Sequence, residues 1–187
     1  MSSKGDSCGD NPLKRWHLRF QRAQAFWNQP SDRFADIDEQ FNYLVEVLVT
    51  ASYLEMLLYV GVQYVGVDMD GGRKRPTLGT LIRIAREYGL VDGDLAKLLN
   101  QFNDIRNGFA HNPDYVLTTD TINTLHGLLP QDDQDALKPA LQNILPEPTV
   151  EVIASLTYGQ IVKMTYGAIS SAAERNLSNS NEAREEC

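Results

Sequence analysis

An all-α helical bundle is the fold class this sequence predicts, on three observations. Apolar residues recur at intervals of three and four in one segment after another, the period of a helix face rather than of a strand. Helix punctuation stands between those segments: Thr77 after Pro76, Gly89 followed by Asp92, and Thr149 after Pro148. The one strand-like stretch, VGVQYVGV at 60–67, finds no second strand to pair with, and an isolated strand is not stable in water.

Taken in order, residues 1–10 are polar and glycine-containing and read as a disordered tail. Asn11 and Pro12 supply a cap and a first-turn proline for a helix through about Asn28, with Arg15, Arg19 and Arg22 beside Trp16, Phe20 and Phe26. The punctuation Gln29-Pro30-Ser31-Asp32 precedes a long helix, starting at Phe34 or Ile37 and running toward Val67, which is expected to be central. Glu46, Glu55 and Gln63 interrupt its apolar sequence, so no charge-free run reaches the roughly 18 residues of a membrane span, and a buried core helix is the expectation. Asp70-Gly71-Gly72 makes a turn into the basic loop Arg73-Lys74-Arg75.

Thr77 then caps a helix whose Leu78, Leu81, Ile82, Ala85 and Tyr88 share a face and which Gly89 ends. Asp92 or Asp94 caps the next, with Leu95, Leu98, Leu99, Phe102 and Phe109 at helical spacing. It must stop near Asn112, because a proline at 113 disfavours helical geometry in the residue before it. Three more helices are predicted over 120–128, 132–144 and 149–175, and the Ser- and Asn-rich 176–187 reads as a frayed tail. The expected organisation is a single domain over 11–175 whose core covers about 37–115.

Composition narrows the function classes. With 187 residues, 42% hydrophobic and 22% charged, the chain matches a single ordinary globular domain. Cys8 and Cys187 lie in polar tails without metal-ligand spacing, so neither a disulfide framework nor a zinc site is written here, and a reducing cytoplasm is the expected setting. The N-terminus lacks the apolar segment of a secretory signal. A net charge of −8 argues against a general nucleic-acid binder, which needs clustered Lys and Arg to release counterions. The average conceals local basic points, however: residues 1–33 hold six Lys or Arg against three acids, and Arg73, Lys74 and Arg75 form a second cluster able to touch an RNA backbone.

The stretch DIRNGFAHNP at 104–113 sets Arg106, Asn107 and His111 at a predicted helix end. At about 100° per residue, Asn107 and His111 are neighbours on one face, whereas Arg106 lies about 140° from His111. One helix therefore does not aim Arg and His at a single point. A second copy related by a two-fold axis would bring both pairs around one cleft.

The three residue types suit cleavage of an RNA phosphodiester. Histidine, with an ordinary pKa near 6.5, moves protons near neutral pH. Arginine holds two phosphate oxygens in its planar fork and offsets the charge that builds on them. Asparagine orients as a neutral donor and acceptor. The same spacing also suits a helix end at which Arg106 and His111 bond the free carbonyls, and spacing alone does not separate the two readings. Glu55, inside the apolar helix, is a candidate support for the Arg or His of this motif. His17 and His126 have no neighbouring arrangement that suggests chemistry.

RNGFAH, Arg106 to His111, resembles the signature of the HEPN superfamily, an Arg followed by a polar residue and, after four to six residues, a His. The approach LGTLIRIAREYGLVDGDLAKLLNQFNDIRNGFAH and the earlier ASYLEMLLY are also similar to that superfamily, including its mannitol-repressor-like members. The resemblance implies an α-helical bundle, a homodimer, and metal-independent endoribonuclease activity without a cofactor, with Arg106 and His111 catalytic and Asn107 their polar partner. It further implies a role as a toxin or phage-defence effector, with an antitoxin or regulatory protein as partner. A non-catalytic regulatory or protein-interaction module is the alternative that the mannitol-repressor-like similarity implies. One antitoxin-paired subgroup carries a Tyr two residues after the His; here Pro113 holds that position and the nearest Tyr is Tyr115.

Overall fold

The computed structural model describes residues 39–69, 75–112, 114–144 and 149–185, with side chains for 42–69, 75–112, 114–142 and 149–175. The chain divides into two units, Met1–Ala35 and Asp36–Cys187, and every described residue belongs to the second. The expected tail at 1–10, the helix over 11–28, Arg73 and Lys74 lie outside the described residues.

Six helices and no strand occur among the described residues, so the protein is an all-α bundle. They are α1 Glu39–Tyr64, α2 Leu78–Glu87, α3 Gly93–His111, α4 Thr119–His126, α5 Gln131–Ile144 and α6 Val150–Glu185. The strand-like 60–67 opens, as expected, in helix, with Val60 to Tyr64 forming the end of α1. Gly66 at φ +84° stops the helix three residues short of the predicted Val67, because the Val67 amide folds back to the Val62 carbonyl at 3.3 Å and the Gly66 amide to Gln63 at 3.0 Å.

The caps lie where the sequence signals them. Thr77 accepts from the Thr80 amide at 3.3 Å, and Asp92 rather than Asp94 caps α3, accepting from Leu95 at 2.8 Å. Gly89, at φ +67°, ends α2 while the Leu90 amide returns to Ala85 at 2.8 Å. The backbone of α6 stays helical to Glu185, past Arg175 where the frayed tail was expected to begin. Ser and Asn cost only a few tenths of a kcal/mol each in an established helix, and no Gly or Pro interrupts 176–185.

Helix α1 is central and packs on α2, α3 and α6. Glu46 faces Ser155 and Gly61 faces Ile169, so α1 and α6 run parallel with nearly constant register. At Gly61 a Cβ would stand 3.1 Å from the Ile169 side chain, and its absence lets the two helices close. Leu54, Leu58 and Val62 of α1, Leu81 and Ile82 of α2, Leu98, Leu99 and Phe102 of α3, and Tyr158 and Ile161 of α6 are all buried in one core. Each such side chain stabilises by roughly 1.5–3 kcal/mol relative to exposure. Phe102 meets Tyr158 edge-on, with ring centroids 5.3 Å apart.

The same α1 is long and apolar enough over Asn42–Tyr64 to cross a membrane by length and composition, with 44% of its most apolar stretch buried in the bundle. Leu48, Val60 and Tyr64 remain exposed on it.

Candidate functional site: the end of helix α3

Helix α3 carries the motif because its two faces differ. Leu95, Leu98, Leu99, Phe102 and Ile105 are buried and hold the helix against the core, which leaves Arg106 and Asn107 half-buried at the edge and His111 exposed on the last turn. Ile105 fills the core where the sequence spacing had suggested Phe109; Phe109 instead meets Tyr115 edge-on, centroids 4.8 Å apart.

Arg106 donates from Nη1 to the Asn107 Oδ1 at 3.1 Å. That bond draws the guanidinium toward the row of the helix that carries His111 one turn later. No carboxylate lies in ion-pair range of Arg106 among the described residues, and its Nε is enclosed without an acceptor. An enclosed donor on a charged group without a partner is costly. The His111 imidazole makes no side-chain hydrogen bond or ion pair among the described residues.

The chain leaves α3 by a tight turn. The Asn112 amide donates to the Gly108 carbonyl, its carbonyl accepts from the Tyr115 amide, and its side-chain Oδ1 accepts from the Asp114 amide, each at 3.0 Å. Asn112 has extended geometry, φ −126° and ψ 106°, as expected before a proline. The Tyr115 ring then lies on Gly108, where a Cβ would stand 2.4 Å from the ring. Burial, and secondarily the Asp104 carboxylate, pushes the Tyr115 hydroxyl above the ordinary tyrosine range.

Of the remaining predicted residues, Arg75 and Glu55 are described and neither is bonded to Arg106 or His111. Arg75 is exposed on the segment leading into α2. Glu55 is half-buried on α1 and makes no hydrogen bond or ion pair with Arg106 or His111. His126, to which sequence reasoning assigns no role, lies on α4 with Nδ1 3.1 Å from the Thr157 hydroxyl, and burial lowers its pKa. No group of three or more His, Cys, Asp or Glu side chains suited to a metal occurs among the described residues.

Glu46 is a carboxylate that the fold buries along the seam between α1 and α6. It accepts from the Ser155 hydroxyl at 2.7 Å through one oxygen, while the other is enclosed without a partner. Burial, and more weakly Glu151, raises its pKa to about 7 against the lowering effect of Ser155. One turn on, Thr50 is fully buried with an unpartnered hydroxyl, and across the seam Tyr158 is in the same condition. Asn42, Glu46 and Thr50 recur at intervals of four along an apolar helix, and that polar ridge is the signal in the sequence that marks Glu46. For Gly108 the signal is a glycine inside a helix, a residue that costs about 1 kcal/mol against Ala and points to a close approach.

Comparison of the chain with protein-family models, with curated proteins and with solved structures finds no match.

Proposed function

We propose that this protein is a metal-independent endoribonuclease of HEPN type, a toxin or defence effector that cuts RNA at a cleft shared by two copies of the chain. His111 moves protons between the 2′-hydroxyl and the leaving 5′-oxygen. Arg106 offsets the charge that gathers on the phosphate oxygens at the pentacovalent stage, and Asn107 orients the guanidinium. The observation that carries the reading is the state of Arg106: half-buried, without a carboxylate partner among the described residues, and bonded instead to a neutral amide one residue on, on the helix end that also carries His111. A structural arginine in that position would ordinarily be paired.

The test is cleavage of total cellular RNA by the purified chain beside Arg106→Ala and His111→Ala, with chelator present and each variant matched for folding and oligomeric state. The expected products end in a 2′,3′-cyclic phosphate or 3′-phosphate and a 5′-hydroxyl, and both variants lose at least a hundredfold in rate, in line with removal of a general acid or base. Ends bearing 5′-phosphate, or loss of cutting in chelator, would sink this mechanism. A monomer by light scattering at micromolar concentration would remove the shared cleft.

A second reading, a non-catalytic regulatory or protein-interaction module, is favoured by the exposed Leu48, Val60 and Tyr64 on α1 together with the net charge of −8. Absence of cutting by the unmodified chain across a broad RNA set would move the weight to it.

A further inference from the structure

The last helical turn of α3 holds His111 by little of its own. His111 is the final helical residue, Gly108 in the same turn is the poorest helix former apart from proline, and the final helical hydrogen bond runs from Asn112 back to that glycine. Exposed turns of this kind fray. Here the following segment folds back instead, closed by the Asn112 to Tyr115 and Asn112 to Asp114 bonds, and the Tyr115 ring occupies the space a Cβ at 108 would fill while meeting Phe109 edge-on.

We propose that Tyr115 is a positioning residue for His111: its ring clamps the turn after α3 onto Gly108 and Phe109 and so determines where the imidazole stands. The glycine is half of the clamp, because any side chain at 108 displaces the ring. The proposal rests on His111 as the proton-transfer group, and the tyrosine itself touches no reacting atom. The aromatic ring carries the role and the hydroxyl does not, so phenylalanine substitutes for it.

The experiment follows the His111 Cε1–Hε1 resonance and the Asn112 amide exchange rate in the full, isotope-labelled chain, the three histidines being told apart by His111→Gln and His126→Gln. In Tyr115→Ala the His111 resonance moves to the position of a histidine in an unstructured peptide and Asn112 exchanges at least tenfold faster, while His126 is unchanged; Tyr115→Phe matches the unmodified chain. On RNA, Tyr115→Ala loses at least tenfold in kcat with KM within twofold, and Tyr115→Phe restores it. Gly108→Ala gives the same resonance change with Tyr115 in place, and raises rather than lowers the melting temperature once Tyr115 is alanine. An unmoved His111 resonance and Asn112 exchange rate in Tyr115→Ala overturn the proposal, as does a Gly108→Ala effect that is the same with and without the tyrosine. If the unmodified chain cuts no RNA the ribonuclease reading fails, whereas the resonance and exchange data still decide whether Tyr115 holds His111.

Discussion

Glu46 shows how one buried carboxylate makes stability depend on pH. Its folded pKa of about 7 lies above the ordinary 4.5, so the ionised form is disfavoured in the fold. The stability associated with its neutral form is fully present below about pH 4.5 and is lost as pH rises through about 7. Replacing it by Gln keeps an acceptor for Ser155 and removes the ionisation. Glu46→Gln is therefore expected to match the unmodified chain at pH 4.5 and to exceed it by up to about 3 kcal/mol at pH 8.5, from 1.36 kcal/mol per pKa unit. Urea denaturation at the two pH values checks this, and an identical difference at both would show that Glu46 is not desolvated. At the motif, Arg106→Lys is expected to lose cutting nearly as fully as Arg106→Ala, since a point charge does not reproduce a planar fork bonded to Asn107. A Lys variant with near-normal kcat would leave only charge to explain the role of Arg106.

Between elements, the close parallel contact of α1 and α6 turns on a single missing side chain. Gly61→Leu would drive a branched side chain into Ile169, only 3.1 Å from where a Cβ would stand, and is expected to destabilise by about 1–3 kcal/mol. Adding Ile169→Ala should recover part of that loss, and a double-mutant cycle by thermal denaturation measures the coupling. Independent effects of the two changes would mean that the helices do not meet there. The start of α3 is held by Asp92, whose carboxylate receives the Leu95 amide at 2.8 Å. Asp92→Ala is expected to cost about 1 kcal/mol, measured in the same way, with Asp94→Ala nearly silent.

For the molecule as a whole, the 140° between Arg106 and His111 on one helix makes the proposed cleft a matter of assembly rather than of one chain's fold. Mixing the Arg106→Ala and His111→Ala proteins under conditions that exchange subunits is expected to restore cutting that neither has alone, because the mixed pair retains one Arg and one His. Sustained inactivity despite proven exchange would place each pair within its own chain.

How far the sequence could be read follows from which interactions are local. Helix periods, the caps at Thr77 and Asp92, the stop at Gly89 and the break before Pro113 depend on residues within a turn of one another, so all were legible from the chain alone and together determined an all-α bundle with Arg106, Asn107 and His111 at a helix end. The rest was decided by contacts between segments far apart in sequence. Only packing buries Glu46 against α6, where Ser155 meets it, and that burial raises its pKa. Only packing buries Ile105, leaves Phe109 half-buried against Tyr115 and lays Tyr115 on Gly108. Helical spacing says which residues share a face; desolvation and hydrogen-bond partners depend on what another element brings to that face, and this no single segment specifies.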